Sequence, residues 1–251
     1  MEIIKRFIAV IGVAATILAA CSNSRGGSLL PTLFVGVDAN FPPFETTRAD
    51  NNEFTGFDID LMNAIASKAG YQVEFKNEPR NGLLSGMIKC QYDAAISAFA
   101  ITKPLEKQIQ FSEPYLSVDL VVVVQKGNIT ISGPTGLAGA IVGVENGSPA
   151  ASAVANISDA QLANFPTVDQ AFQNLIDGNV EAVVASRSTA LNYANIPANH
   201  LKIVGEKLGS ENYAIAVCPA KPDLLAKINT GLAAVKDDGT LDKLIKRWII
   251  K

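Results

Sequence analysis

The chain has 251 residues, of which 48% are hydrophobic and 18% are charged, and it contains 19 glycines. This length and composition suit a well-buried core, in one large α/β unit or two smaller ones, and exclude a disordered or fibrous chain. A formal net charge of −3, with no cluster of Lys and Arg after residue 6, argues against a nucleic-acid partner. The single histidine, His200, lies in a predicted loop, so we expect no Ser-His-Asp triad, no metal site and no cofactor.

The N-terminus has the pattern of a secretory signal. Lys5 and Arg6 precede an apolar run over residues 7–18, which is too short for a comfortable membrane span. The run ends in Leu-Ala-Ala before Cys21, and residues 1–20 resemble a bacterial lipoprotein signal peptide. The resemblance implies cleavage before Cys21, lipidation of its sulfur, and a lipid-anchored protein of the cell envelope outside the cytoplasm. Residues 21–30 would form a flexible tether. The alternative is an ordinary signal peptide with a chance cysteine.

The first predicted element is a strand over residues 33–37 that leads into a polar and aromatic turn over residues 38–44. Pro42 and Pro43 restrict the backbone of this turn and remove two donors. The turn presents Asp38 and Phe41 at the carboxyl end of the strand, which is where small molecules bind in open α/β sheets. We therefore predict a ligand site here.

Strands and helices alternate along the rest of the chain, which indicates an α/β fold with largely parallel strands. A helix begins near Gly56, with Asp58 or Asp60 as its cap, and ends at Gly70. The next predicted elements are a strand at 71–75, a helix at 82–89 and a strand at 92–97.

A second copy of the same plan follows. Predicted strands lie at 121–124 and 141–144, and a helix at 168–176 leads through a tight turn into a strand at 180–185. The turn from Glu145 to Ser148 mirrors the first turn, so two lobes would face each other across a cleft. The last strand, at 212–217, and two helices at 222–235 and 241–250 return to the first lobe. We predict lobe 1 as 31–117 plus 214–251 and lobe 2 as 118–213, joined by a two-stranded hinge that closes on a ligand.

Several separated motifs agree in order and spacing with one known family: residues 38–44, 56–61, 92–102, 111–115 and 238–248. With these motifs the chain resembles the extracellular solute-binding proteins of family 3, the polar amino-acid type. The resemblance implies a type II periplasmic-binding-protein-like fold with Venus-flytrap closure. It also implies a monomer that delivers a small polar solute to the membrane subunits of an ABC importer.

The family pattern assigns ligand contacts to Asp38 and Phe41, and both are retained. Arg80 stands where the family usually has a second aromatic residue. Leu105 replaces the arginine that pairs with an α-carboxylate, and Pro149 replaces a threonine that binds the same group. Ser186 replaces the aspartate that takes an α-ammonium group. A standard α-amino acid held in the usual way is therefore not the expected ligand.

The resemblance gives the following candidate ligand-binding residues: Asp38, Phe41, Arg80, Ser97, Ala98, Ala100, Thr102, Glu145, Ser148 and Ser186. An anionic group of the ligand would face Arg80 or Arg187, and a cationic or hydroxyl-bearing end would face Glu145 or Asp38. Arg80 and Arg187 also fit solvated surface positions, and Asp58 and Asp60 fit helix caps better than ligand contacts.

Cys90 and Cys218 fit either a disulfide or two separate buried thiols. In the architecture that the resemblance implies, the strand ending at Cys218 lies antiparallel beside the strand that follows Cys90. We therefore predict a disulfide between them.

We expect a binding protein rather than an enzyme, because the sequence offers a two-lobed cleft without a catalytic set. The first alternative is an enzyme of the cyclohexadienyl dehydratase type on the same fold, with Glu145 as the candidate acid. The second is a sensory ligand-binding domain, which predicts a transmembrane segment or an output domain after Lys251.

Overall fold

The computed structural model describes residues 30–249, so the predicted signal peptide, Cys21 and nearly all of the tether lie outside the described residues. The strands are β1 (Thr32–Val37), β2 (Asn40–Phe41), β3 (Glu45–Thr47), β4 (Phe54–Thr55), β5 (Gln72–Asn77), β6 (Ala94–Ala100), β7 (Gln110–Phe111), β8 (Leu116–Gln125), β9 (Ile141–Glu145), β10 (Gln161–Phe165), β11 (Ala182–Ser186) and β12 (Leu201–Val217). The helices are α1 (Phe57–Ala69), α2 (Arg80–Ile88), α3 (Lys103–Glu106), α4 (Pro149–Ala155), α5 (Val168–Ile176), α6 (Arg187–Ala194), α7 (Pro222–Asp237) and α8 (Thr240–Trp248).

Most strands belong to one nine-stranded sheet with the order β10-β9-β11-β8-β12-β6-β1-β5, in which β7 also pairs with β12. In lobe 1, β1 pairs in parallel with β5 and β6. In lobe 2, β9 pairs in parallel with β10 and β11. Each lobe is therefore built on parallel strands whose carboxyl ends share one edge, as the alternating pattern predicts.

The antiparallel pair β8 and β12 connects the two lobes. Residues 116–120 of β8 pair with 209–213 of β12, and beyond a register shift residues 122–125 pair with 201–204. At its other end, β12 pairs with β6 of lobe 1. The chain thus crosses between the lobes twice, once in β8 and once in β12.

Each lobe has apolar packing on both faces of its sheet. In lobe 1, one cluster joins the sheet to α1 and α7 around Phe57, Leu61 and Ile228. A second cluster packs α2 on the other face, with Leu83 and Phe99. Lobe 2 repeats this arrangement with two clusters of its own. Because the central strands are covered on both faces, their sequences are continuous apolar runs.

An acidic residue performs the same structural task in both lobes. Asp93 Oδ2 accepts a hydrogen bond from the backbone N–H of Phe34 at 2.8 Å, and Glu181 Oε2 accepts one from that of Ile141 at 2.9 Å. Each carboxylate precedes a buried strand and binds the backbone of a neighbouring strand. The repeated sequence pattern therefore has a repeated structural role.

The predicted cap of α1 is wrong. The N-cap is Gly56, and no side chain caps the helix. Asp58 is fully buried, while Asp60 accepts hydrogen bonds from Trp248 Nε1 at 2.9 Å and Arg247 Nη1 at 3.1 Å and so ties α8 to α1. These partners lie far along the chain, so a local capping pattern could not reveal them.

Two element boundaries also differ from the predictions. Helix α2 begins at Arg80 rather than Gly82, and β6 begins at Ala94 rather than Tyr92. The start of β6 is delayed because Cys90 has a positive φ of 53° and the chain is still turning there. Cys90 and Cys218 are joined by a disulfide, with Cα atoms 5.0 Å apart.

Within residues 30–249, none of the helices combines the length and the apolar character that crossing a membrane requires. The same part of the chain contains no group of three His, Cys, Asp or Glu side chains placed to hold a metal ion.

Candidate ligand-binding cleft

The candidate residues gather where the parallel strands of both lobes end. Asp38 follows β1, and residues 97–102 close β6 in lobe 1. Glu145 ends β9 and Ser186 ends β11 in lobe 2. Carboxyl ends of parallel strands are the usual ligand edge of an α/β sheet, so the fold brings together side chains that are distant in sequence.

Asp38 holds the first turn and the start of α2 together. Its Oδ1 accepts from Asn40 Nδ2 at 3.1 Å, and its Oδ2 accepts from the backbone N–H of Arg80 at 3.1 Å. Its own N–H donates to Ser97 Oγ at 3.3 Å. Each carboxylate oxygen can accept a second hydrogen bond, so Asp38 can serve the turn and still contact a ligand.

Phe41 stacks on Phe44 with ring centroids 5.4 Å apart and an interplanar angle of 11°. Phe44 is fully buried, whereas Phe41 is partly exposed. The buried ring therefore supports the exposed one, which suits Phe41 to contact a ligand.

Arg80 is not a solvated surface residue. Its Nη1 donates to the carbonyl oxygen of Ser97 at 2.9 Å, and its guanidinium lies 4.9 Å from the centroid of the Phe99 ring. Burial raises the pKa of Glu145 in lobe 2 and of Glu211 on β12, and the positive charge of Arg80 opposes this rise in both. The charge of Arg80 therefore acts on carboxyls of lobe 2 and of the crossing strand.

Glu145 supplies a partly buried carboxyl from lobe 2. Burial raises its pKa, the positive charge of Arg80 lowers it, and the negative charge of Asp169 raises it. Ser148 caps α4 by accepting from the N–H of Ala151 at 3.1 Å, and Pro149 is the first residue of that helix. The hydroxyl oxygen of Ser148 is thus already engaged with the backbone.

Glu211 is a cleft carboxyl that the sequence analysis missed. It lies on the crossing part of β12, and burial is the largest cause that raises its pKa. Tyr213, two residues further along the strand, is buried, and burial followed by the charge of Glu211 raises the pKa of its phenol. The available signal was an acidic residue two positions before a tyrosine, directly before the predicted strand at 212–217.

Ser186 is buried and caps α6. Its Oγ accepts from the N–H of Thr189 at 3.3 Å and lies 2.8 Å from Thr189 Oγ1. Arg187 is exposed, and its Nε lies 3.8 Å from Oδ2 of Asp119, which also binds Lys207. The guanidinium of Arg187 is therefore already balanced by a carboxylate.

Two donors expected to serve a ligand are used inside lobe 1. Ser97 Oγ–H donates to Glu45 Oε1 at 2.5 Å, and the N–H of Ala98 donates to Asp58 Oδ2 at 2.8 Å. Buried polar groups need partners, and here the lobe supplies them. Ala100 and Thr102 remain partly exposed at the end of β6, whereas Leu105 packs against the cluster around Leu83 and Phe99.

One hydrogen bond joins the two lobes across the mouth of the cleft. Asn192 Nδ2 of α6 donates to the carbonyl oxygen of Pro42, in the first turn of lobe 1, at 3.0 Å. This contact brings the first turn of lobe 1 against α6 of lobe 2.

A known family matches this arrangement of two lobes, two crossing strands and a polar cleft. The model of the bacterial extracellular solute-binding proteins, family 3, matches residues 33–251. The chain belongs to this family. It is a solute-binding protein of the amino-acid ABC transporter type, with the type II periplasmic-binding-protein fold.

Among its relatives is ABC transporter arginine-binding protein 1 of Escherichia coli (strain K12), 31% identical over 94% of this chain and 97% of the relative. A solved structure of an ancestral arginine-binding protein bound to arginine is 39% identical, with a TM-score of 0.73 over 87% of this chain and 98% of that one. The ancestral amino acid-binding protein AncCDT-1, described as a precursor of cyclohexadienyl dehydratase, is 31% identical, with a TM-score of 0.70 over 86% and 95%.

Proposed function

We propose that this protein captures a small polar solute between its lobes and delivers it to the membrane subunits of an ABC importer. The cleft receives polar side chains from three parts of the fold: Arg80 from lobe 1, Glu145 from lobe 2 and Glu211 from the crossing strand. A ligand that contacts all three would bind the closed form more tightly than the open form and so stabilise closure.

The charges of the cleft favour a solute with a cationic group. Asp38, Glu145 and Glu211 are acidic, and the guanidinium of Arg80 is already bound to the Ser97 carbonyl and stacked near Phe99. A cationic group placed by Glu145 and Glu211 would gain charge-assisted hydrogen bonds in a site partly shielded from water. Phe41 offers an aromatic face to the same group.

The cleft is poorly equipped to hold the carboxylate of a standard α-amino acid in the usual way. Leu105 packs against the apolar cluster around Leu83 and Phe99, and Pro149 has no backbone N–H to donate. The hydroxyl of Ser186 caps α6. The relatives named for arginine share the fold, and we propose that this chain keeps a preference for a cation while it has lost the clamp for the carboxylate.

Calorimetric titration of arginine against agmatine tests this proposal. Agmatine has the guanidinium and aliphatic chain of arginine but no carboxylate. We expect agmatine or an aliphatic diamine to bind at least about tenfold more tightly than arginine. Glu145→Gln should weaken that binding, whereas Glu53→Gln, at an exposed position of lobe 1, should leave it unchanged. Arginine or another standard amino acid that bound more tightly than agmatine would contradict the proposal.

We also propose that residues 1–20 are removed and that Cys21 then carries a lipid that anchors the protein outside the cytoplasm. We propose separately that the protein works as a monomer. Incorporation of a labelled fatty acid in cells should occur in the wild type and fail in Cys21→Ser. Equal labelling of both proteins would refute the anchor, and a dimer in analytical ultracentrifugation would refute the monomer.

A second candidate function is a dehydratase. The observation that favours it is Glu145, whose pKa is raised by burial and which could therefore hold a proton for a leaving group in the cleft. Incubation with prephenate and detection of phenylpyruvate distinguishes the two functions. The acidic cleft favours the binding function, because prephenate carries two carboxylates that Glu145 and Glu211 would repel. Turnover that Glu145→Gln abolishes would overturn the binding proposal.

A further inference from the structure

Two carboxyl groups lie in the interior of lobe 1, directly behind the cleft. Glu45, the first residue of β3, and Asp58, the second residue of α1, are both 0% exposed. Their segments are tied together, because the N–H of Asp58 donates to the carbonyl oxygen of Phe44 at 2.9 Å. No lysine or arginine forms a salt bridge with either carboxyl in residues 30–249. Two uncompensated negative charges at such a place would be strongly unfavourable.

The hydrogen bonds of the pair are unevenly shared. Asp58 Oδ2 accepts from the N–H of Ala98 at 2.8 Å and from the phenol of Tyr115 at 3.0 Å. Glu45 Oε1 accepts only from Ser97 Oγ, at 2.5 Å. The remaining oxygens, Glu45 Oε2 and Asp58 Oδ1, are buried and have no partner. The two carboxyls bind adjacent residues, Ser97 and Ala98, and the charge of Asp58 raises the pKa of Glu45 after burial does. A proton between these two oxygens satisfies both.

We propose that Glu45 and Asp58 share one proton, with Glu45 Oε2–H donating to Asp58 Oδ1, and that this pair positions the Ser97–Ala98 segment at the floor of the cleft. Glu45 carries the proton because Asp58 receives more donors and is the better-stabilised anion. One proton thus removes both buried unsatisfied oxygens and leaves the pair with a single charge.

The segment that the pair holds is strained and adjoins the candidate ligand residues. Ala98 has a φ of 45°, which is unfavourable for a residue with a side chain, and the pairing of β6 with β12 shifts register beside it. A strained residue persists only where its surroundings fix it. Here Asp58 binds the N–H of Ala98, while Ser97 Oγ accepts from the N–H of Asp38 and the Ser97 carbonyl binds Arg80. The pair thus acts on the cleft through Ser97 and Ala98.

The pKa shifts of the pair and of the groups around it agree with a proton on Glu45. Burial raises the pKa of Asp58 to about 6 and raises that of Glu45 well above its usual value, with the charge of Asp58 as the next cause. Arg80 lowers the pKa of both carboxyls without bonding to either. Tyr115 and Tyr213 stay neutral, because burial raises their pKa values further. These directions agree with a pair that holds one proton, on Glu45.

The proton has a predictable effect on stability. A group whose pKa is higher in the folded state contributes stability that is fully present below its unfolded pKa and is lost as the pH rises through its folded pKa. Glu45→Gln should mimic the protonated acid, because its amide can donate to Asp58 Oδ1 at every pH. Asp58→Asn should likewise replace the shared proton as the donor between the two side chains, because its amide can donate to Glu45 Oε2.

Thermal unfolding across pH and infrared spectroscopy test the proposal without any ligand. The melting temperature of Glu45→Gln should rise relative to the wild type by about 3–5 °C per pH unit, from mildly acidic pH up to the folded pKa of Glu45. The wild type should show the carbonyl stretch of a protonated buried carboxylic acid at neutral pH, and Glu45→Gln and Asp58→Asn should both lack it. Glu53→Gln, at an exposed position, should behave as the wild type.

A wild type that lacks this band at neutral pH, or a Glu45→Gln protein whose melting temperature follows that of the wild type across pH, would overturn the shared proton. The positioning role rests on the proposed function of the cleft, but the proton does not. The two can therefore fail separately: a protein that shows the band and binds no cationic solute would retain the pair and refute the proposed ligand.

Discussion

Asn192 in lobe 2 donates its Nδ2–H to the backbone carbonyl oxygen of Pro42 in lobe 1, 150 positions away in the chain, at 3.0 Å. The acceptor belongs to the same turn as Asp38 and Phe41. This hydrogen bond thus joins the two lobes beside the residues that the family pattern assigns to the ligand.

Asn192→Ala should shift the ligand-free protein towards more open lobes. An exposed hydrogen bond contributes about 0.5–1.5 kcal/mol, enough to change a balanced two-state population severalfold. Small-angle X-ray scattering should show a larger radius of gyration for the variant. Asn195→Ala, an exposed position just after the same helix, is the matched control and should match the wild type. An unchanged radius for Asn192→Ala would show that this contact does not govern closure.

Arg80→Gln should raise the pKa of Glu145 and Glu211, because the positive charge of Arg80 lowers both. Each carboxyl should then stay protonated to higher pH than in the wild type. Side-chain carboxyl resonances followed by NMR across pH measure the change. Lys76→Gln removes an exposed positive charge on β5 and should leave both pKa values unchanged. A titration of Glu145 that Arg80→Gln leaves unaltered would place Arg80 away from the cleft.

Replacement of both cysteines by serine should lower the free energy of unfolding by about 2–5 kcal/mol. The disulfide joins residues 128 positions apart, so it restricts a long loop of the unfolded chain. Chemical denaturation measures the loss, and a reductant should destabilise the wild type but not the Cys90→Ser/Cys218→Ser protein. Equal sensitivity of the two proteins to reductant would contradict a stabilising disulfide.

Gly231→Ala should destabilise lobe 1, although alanine favours helices more than glycine does. A Cβ at position 231 of α7 would lie 2.6 Å from the backbone oxygen of Ile65 in α1, so the two helices would have to move apart. We expect a loss of about 1–3 kcal/mol in urea denaturation. Gly127→Ala, where a Cβ meets no atom within 4 Å, is the control and should have little effect. A variant at position 231 as stable as the wild type would show that α7 can shift freely.

The sequence by itself determined the alternation of strands and helices and the two-lobed plan. These features depend on local patterns: apolar runs mark buried strands, and glycines and prolines mark turns. The order of the motifs then indicated the family, which the match over residues 33–251 confirms. The acidic residues that precede β6 and β11 were also visible as a repeat, although their hydrogen bonds were not.

Only the tertiary structure decided which polar side chains serve the fold and which remain for a ligand. Asp58 looks like a helix cap in the sequence, yet it is buried, as Glu45 is, and Glu211 was not among the candidate ligand residues. Arg80 could have been a surface residue, but it binds the Ser97 carbonyl and acts on carboxyls of the other lobe. Burial and pairing between distant residues set these roles, because the desolvation of a charge and the partners available to it depend on the whole fold.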